Sequence, residues 1–316
     1  GEQIGQLMDR IREQFAMAQD AEITMEVNPG TASAEKLRNF YTAGINRLSI
    51  GMQSAQAEEL KNLGRIHDFE GFCQVYREAV EAGFTNINVD IMSGLPGQTL
   101  ASYRDTLEKV LHLEPMPQHI SAYSLIVEEG TPFAAMAERG ELPLPEEETE
   151  RAMYEETIEV LAKYGFHRYE ISNYARDGYE CRHNVGYWIR RDYLGFGIGA
   201  ASLIDNVRFQ NEKSLGAYLA HPLESREEEQ TLTVQDRMEE TMFLGLRLTR
   251  GVSCVDFAEQ YGRTVEEVYG EVIARNVADG LLTVTERKEN QKKDRFLALT
   301  KRGLDLSNYV MAQFLF

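Results

Sequence analysis

The sequence is poor in cysteine. Three occur, at positions 73, 181 and 254, and no two stand close enough to share a local metal site. An odd, scattered set argues against a disulfide framework and for a reducing compartment, with the cytoplasm as the expectation. His67, His112, His119 and His167 likewise stand apart from any cysteine or second histidine, so no sequence-local site for zinc or an iron–sulfur cluster is found. No apolar run approaches the roughly 18 residues of a membrane span. No leader is expected, because the opening residues lack the basic, apolar and small-residue order of a signal peptide. A serine nucleophile elbow and a hydrolase triad signature are absent too. Basic residues are scarce, with 33 Lys and Arg against 51 Asp and Glu, a net charge of −18. Such a chain grips phosphate backbones poorly, and nucleic acid is not an expected partner. Much of the acid lies in PEEETE (145–150) and ESREEE (224–229). These runs read as solvated helix starts or loops, or as an acidic face for a partner.

What remains is ordinary for a soluble globular protein. Hydrophobic residues make up 43% of the 316 and charged residues 27%, enough to build a sizeable core in about two domains. Ile4, Leu7, Met8, Ile11 and Phe15 predict an amphipathic helix, with no capping box before it. AEITMEVNPGT (21–31) alternates Ile23, Met25 and Val27 and stops at Asn28-Pro29-Gly30, as a strand and turn would. A pattern then repeats. A helix with Ala34, Leu37, Phe40 and Tyr41 on one face closes at Ala43-Gly44 and leads into the strand INRLSIGMQ (45–53). A helix with Phe69, Phe72, Cys73, Tyr76 and Val80 on one face closes at Ala82-Gly83 and leads into INVDIMSGLPGQ (87–98). Helix 102–113 and strand HISAYSLIV (119–127) add another unit, and KYGFHRYEIS (163–172) echoes the motif. Both closing glycines stand where a left-handed residue ends a helix. Alternating strands and helices predict a parallel sheet, and units running in one direction favour a barrel or partial barrel over a doubly wound sheet.

Polar residues cluster at the predicted strand ends: Glu26 and Asn28, Gln53, Asp90, then Ser93-Gly94. In barrel enzymes those ends carry the site. Asp90 is suited to two ribose hydroxyls, Arg65 in NLGRIHD to a carboxylate held in a bidentate fork, and Gln53 to the polar end of an amino acid. An amino acid joined to a nucleoside would satisfy all three, and so would a plain scatter of polar residues at a barrel lip. SGLPGQT (93–99) lacks the Lys-Ser/Thr of a phosphate loop and reads as a strand-to-helix turn at Pro96-Gly97 capped by Thr99. The character changes after about residue 175. Residues 176–222 are rich in Gly, Tyr and Asn, and YLGFGIGA (193–200) reads as turn and extended chain. Helical sequence returns at 234, followed by a hairpin in LLTVTE and RFLALT, the plan of a winged helix with a structural or protein-contact role. The expected division is 1–175, 176–233 and 234–316. Between the first and last parts lies ECRHNVGYW (180–188). If extended, it would put Cys181 and His183 on one face beside the flat surfaces of Tyr187 and Trp188. An imidazole near aromatic planes suits haem, and it is equally what a surface histidine beside an aromatic anchor looks like.

In order, EVNPGT, NRLSIGMQS, LGRIHD, NVDIMSGLPGQT, SAYSLIVEEGTP, YEISNYA, ECRHNVGYW and YLGFGIGA resemble the HemW family of haem chaperones. These are relatives of the oxygen-independent coproporphyrinogen III oxidases (HemN type) in the radical S-adenosylmethionine superfamily. The resemblance covers essentially the whole chain and is strongest over 22–205. It implies an α/β fold, a partial (β/α) barrel of radical SAM type, N-terminally incomplete, with a C-terminal winged-helix-like α+β module. S-adenosylmethionine would lie across the strand ends against Glu26, Gln53, Arg65 and Asp90, with Arg65 on the methionine carboxylate, Asp90 on the ribose and Gln53 at the amino-acid end. The HNxxYW pattern of His183, Asn184, Tyr187 and Trp188 separates this branch from the oxidases and is associated with haem, which makes His183 the implied iron ligand. The family also implies a [4Fe–4S] cluster, but its CxxxCxxC motif belongs before Gly1 and none of the cysteines here matches it. A chain that starts about two βα units late is expected to expose a sheet edge and to self-associate. The implied partners are haem or porphyrin and haem-accepting proteins, in the cytoplasm or at the inner face of the membrane, with a peripheral membrane contact and a dimer left open. Radical decarboxylation of coproporphyrinogen III is the alternative activity, and whether the chain is an enzyme stays open at this point.

Overall fold

The computed structural model describes residues 1–222, 226–289 and 292–315. They form two compact units, Gly1–Cys181 and Arg182–Phe316. The first runs α1 (Glu2–Gln14), β1 (Thr24–Val27), α2 (Ala34–Ala43), β2 (Arg47–Gln53), α3 (Ala57–Asn62), α4 (Phe69–Ala82), β3 (Ile87–Ser93), α5 (Leu100–Leu111), β4 (His119–Ser124), α6 (Pro132–Glu138), α7 (Glu147–Lys163), β5 (His167–Arg168) and β6 (Asn173–Ala175). Strands β1 to β4 are parallel neighbours in chain order, with no reversal. This is the βα progression of a partial barrel, as expected. Gly44 and Gly83 close α2 and α4 with φ of 97° and 110°, and their N–H groups return to carbonyls of the last turn. Thr99 caps α5 in a capping box with Ser102.

The echo in 163–172 takes a different form from the earlier units. β5 points the same way as β4, but the return strand β6 is inserted between them and pairs antiparallel with both. β4 also stops at Ser124, short of the expected Val127. Two strands of two and three residues have too little alternation to announce themselves in sequence.

Side chains alternate across the sheet, and the two faces differ in chemistry. Leu48, Ile50 and Met52 of β2, Val89 and Ile91 of β3 and Ile120 of β4 pack against Leu37, Phe72, Tyr76, Tyr103, Leu107 and Met153 from the helices, all of them buried. The opposite face carries Arg47, Ser49 and Gln53, Asn88 and Asp90, His119 and Ser121, then Asn173. Its groups answer one another across strands. Asn88 Nδ2 donates to Ser49 Oγ and to Asp90 Oδ1, at 2.7 Å each. Ser121 Oγ donates to Asn173 Oδ1 at 2.7 Å. His119, fully buried, sits 2.6 Å from Asn88 Oδ1 through Nδ1 and 2.9 Å from Tyr169 Oη through Nε2.

The second unit runs α8 (Arg182–Trp188), β7 (Ala201–Ile204), β8 (Val207–Asn211), α9 (Leu215–Ala220), β9 (Arg226–Thr231), α10 (Val234–Gly245), β10 (Val252–Ser253), α11 (Cys254–Tyr261), α12 (Val265–Ala278), β11 (Leu282–Glu289), β12 (Lys292–Leu299), α13 (Lys301–Asp305) and α14 (Ser307–Ala312). Helices α10 to α12 with the β10–β12–β11 sheet make the winged-helix-like module. A second antiparallel sheet, β7–β8–β9, lies in the stretch that the sequence reads only as turn and extended chain. Its β7–β8 hairpin turns on Asp205-Asn206, both with positive φ (49° and 65°), the signature of a two-residue type I′ turn. The two acidic runs also differ. PEEETE does open a helix, with Glu147, Glu148 and Glu150 in the first turn of α7. Arg226–Glu229 of ESREEE belong instead to β9, the edge strand, where charge discourages further pairing; Glu224 and Ser225 lie outside the described residues.

Burial, with the Arg47 charge as a second cause, holds His119 well below its ordinary value of 6.5. The unfolded chain takes up a proton below about pH 6.5 that the native chain refuses. This contribution to stability is therefore complete above that pH and is lost as pH falls. His119→Gln, which cannot ionise, is expected to flatten the decline in melting temperature between pH 7 and pH 5 relative to the wild type.

Candidate functional site

The first unit gathers polar groups at the C-terminal ends of its strands. β2 is irregular there. Its register with β3 shifts between Gly51 and Gln53, and Gln53 adopts a positive φ of 69°, a conformation that costs a non-glycine residue about 1–3 kcal/mol. Gly51 makes the shape practicable. A Cβ there would stand 2.9 Å from Gln53 Nε2 and 3.4 Å from Asn28 Oδ1, so a larger residue would push the Gln53 amide away and lie in contact with that of Asn28. Tyr123 Oη donates to Gln53 Oε1 at 3.0 Å, and Arg65 Nη1 donates to Asn28 Oδ1 at 2.7 Å. Among the described residues no carboxylate pairs with Arg65, which leaves its other N–H groups available to a ligand.

Arg65 is presented by a braced loop. Glu59 of α3, almost fully buried, accepts from Ser54 Oγ and Ser102 Oγ at 2.6 Å each and from Gln98 Nε2 at 3.0 Å. Asn62 Nδ2 adds a bond to Pro96 O at 3.1 Å. SGLPGQT is thus a brace, whose Gln98 ties α3 to the start of α5.

Asp90 lies deeper on the polar face. Burial raises its carboxyl above the ordinary value. Hydrogen bonds from Asn88, Ser121 and Ser49 pull it back, and the Glu26 carboxylate pushes it up. Glu26 is exposed on β1, beside Ser49 in register. The four predicted residues meet around one side chain that the sequence reading missed. The Tyr123 phenol is raised first by burial, then by the Asp90 charge, lowered by the Gln53 bond and the Arg65 charge, and raised by Glu26. Tyr123 was detectable only as the residue near the end of β4 that faces the same way as Asp90 and Ser121. Ser93 and Gly94 sit at the end of β3, where Ser93 Oγ is 3.0 Å from Ser124 Oγ. A guanidinium, two amides and a partly shielded carboxylate suit a ligand with a carboxylate at one end and vicinal hydroxyls at the other.

The second unit holds the HNxxYW residues, and their segment is helical rather than extended. In α8, His183 and Tyr187 are one turn apart and meet edge to face, ring centroids 4.7 Å apart and 85° between planes. Tyr187 continues the stack onto Tyr193, also at 4.7 Å. His183 is exposed and Asn184 half-buried. Trp188, five positions after His183, points about 140° away around the helix. The Arg247 guanidinium lies 4.3 Å over its ring, and its indole nitrogen is enclosed without an acceptor. Trp188 therefore anchors α8, while His183 and Tyr187 face outward. Cys181, the last residue of the first unit, is buried and its thiol donates to Glu22 Oε1 at 3.6 Å.

A buried ion cluster fixes the exit of α8. Arg190, with φ of 56°, donates to Glu240 Oε2 at 2.8 Å and to Asn206 Oδ1 at 3.0 Å, while Arg208 reaches Glu240 Oε1 at 2.6 Å.

Comparison with known proteins agrees with this layout. The Radical SAM superfamily profile matches residues 3–110, and the HemN C-terminal domain profile matches 232–306. The coproporphyrinogen III oxidase (HemN) of Escherichia coli, described as a radical SAM enzyme, superposes with a TM-score of 0.79 at 25% identity, covering 99% of this chain and 74% of that one. Heme chaperone HemW of Bacillus subtilis is 38% identical over 99% of this chain and 81% of its own length. That of Lactococcus lactis is 35% identical over 99% and 80%, and that of Escherichia coli 34% over 88% and 72%. The chain belongs to the HemW family. Membership of a radical SAM family implies S-adenosylmethionine and a [4Fe–4S] cluster. The strand-end residues fit the first, since the Gly51 cradle and the unpaired donors of Arg65 form a receptive surface. They do not fit the second. Cys73 is on α4, Cys181 precedes α8 and Cys254 opens α11, and no group of three metal-ligating side chains occurs among the described residues.

Glu240→Ala is expected to cost about 3–5 kcal/mol, because it leaves Arg190 buried beside a second arginine without their shared counter-charge. Urea unfolding measures the loss.

Proposed function

We propose that this chain is a haem-binding chaperone that passes haem to acceptor proteins, with His183 as the iron ligand. The observation that carries the reading is the exposed imidazole of His183 on α8, braced edge to face by Tyr187 within a two-tyrosine stack. A single axial nitrogen on an exposed helix holds one face of a haem and leaves the other open to a second protein. Such a site binds firmly enough to carry its cargo and openly enough to release it. The HemW relatives, named as haem chaperones, support the same role.

The strand-end residues are proposed to hold S-adenosylmethionine, with Arg65 on its carboxylate, Gln53 at its amino-acid end, Asp90 on its ribose and Glu26 at the rim. Bound there, it would supply an electrophilic sulfonium. Arg65 and Asp90 orient it, and Tyr123 holds Gln53 in its strained conformation. The scattered cysteines support a cytoplasmic setting. No helix among the described residues is long and apolar enough to cross a membrane, and a peripheral contact with its inner face is compatible with this reading.

A haem titration followed by the Soret band is expected to weaken at least tenfold in His183→Ala and to lose the absorbance of the ligated form; unchanged binding would remove His183 as the ligand. For the second ligand, Asp90→Asn and Arg65→Met are each expected to weaken S-adenosylmethionine about tenfold or more in calorimetry, the worth of one charge-assisted bond. Equal affinity in all three proteins would place the ligand elsewhere.

A further inference from the structure

Arg47 opens β2 at the end of the sheet remote from Gln53 and Arg65. It is 3% exposed. Its Nε is enclosed without a hydrogen-bond partner, and among the described residues no carboxylate forms an ion pair with it. Its neighbour across β1 is Thr24, whose Oγ1 is also enclosed and unpartnered. His119 and Tyr169 lie within range of its charge. Neither supplies an anion, since His119 is bonded at both nitrogens and burial pushes the Tyr169 phenol far up. Two carboxylates of adjoining segments, Glu22 and Glu170, are engaged elsewhere. Glu22 accepts from the Cys181 thiol. Glu170 takes Ser172 N and Asn173 Nδ2 on one oxygen, and its other oxygen is enclosed outside ion-pair distance of Arg47.

A buried charge without a counter-charge is strongly unfavourable. A lysine or histidine in this position would shed its proton, but a guanidinium keeps its charge at any pH a protein survives. An anion would supply the missing counter-charge. We propose that Arg47 and Thr24 form a site for a small carboxylate at the N-terminal end of the polar face. The planar fork of Arg47 matches a carboxylate's two oxygens, and the Thr24 hydroxyl is a third donor. One fixed positive charge in a chain of net charge −18 suits a planar monoanion better than a phosphate. The site is independent of the haem and S-adenosylmethionine proposals.

Formate is the probe, at constant ionic strength, with inorganic phosphate as the comparison. The melting temperature of the wild type is expected to rise saturably with formate and not with phosphate. Arg47→Met, close in volume and uncharged, is expected to melt at or above the wild type without formate and to gain nothing from it. Thr24→Val is expected to weaken formate several-fold in calorimetry. A formate response of equal size in wild type and Arg47→Met would overturn the proposal, as would no response in the wild type. So would a fall in the melting temperature of Arg47→Met without formate, since that would mean Arg47 is already compensated.

Discussion

Parallel strands are usually apolar on both faces, because helices cover both. The first unit departs from this on one side. Eight polar side chains from β2, β3, β4 and β6 occupy the face opposite the helices, and they are tolerable there only because most are bonded across strands. This constraint governs much else. A slip of one residue would send Ser49, Asn88 and His119 into the helix-side core and bring Leu48, Val89 and Ile120 out. The hydrogen bonds that satisfy the face therefore also fix the register, and the register sets which residues reach the strand ends.

Along that face the two ends have different characters. At the C-terminal end the backbone is irregular and open, with a glycine where amides crowd in and an arginine held only by a neutral partner. At the N-terminal end the groups are enclosed, and His119 stays neutral. In the second unit the same division recurs on a smaller scale. One side of α8 is immobilised by Arg247 and by the Arg190–Glu240–Arg208 cluster, and the other presents His183 on a stack of rings. In each unit, buried polar contacts position an exposed group of matched chemistry, as binding sites on rigid scaffolds require.

Much of this was legible in sequence where the signal is local. Gly44 and Gly83 mark helix ends through a backbone requirement, Thr99 marks a cap, and Glu26, Gln53 and Asp90 stand out as polar residues at the ends of apolar strands. Arg65 needed the chemistry of its neighbours to be noticed. Other features depend on contacts made far along the chain. Tyr123 joins the strand-end group only through register with β3. β6 is too short to show a period, and its insertion between β4 and β5 is a matter of tertiary pairing. The helical state of 182–188 was hidden because Gly186 and two aromatics weaken the propensity, so HNxxYW could be weighed only conditionally, as an extended segment, where the structure has a helix that packs against α10. The β7–β8 hairpin did have a local signal in Asp205-Asn206, and only the surrounding glycine-rich composition obscured it.

Trp188 is the only tryptophan in the chain, and it lies one residue past Tyr187 on the helix that carries His183. The tryptophan emission of the protein, excited beyond the tyrosine absorption so that the 15 tyrosines stay dark, is therefore local: it reports on α8 and its anchor. Its environment is unusual, with a guanidinium over one face and an indole N–H that finds no acceptor. Any event that moves this helix, or brings a strongly absorbing chromophore beside it, registers as a change in one emission band with a single origin. The residue that holds the helix in place thus doubles as an optical probe of what the helix does.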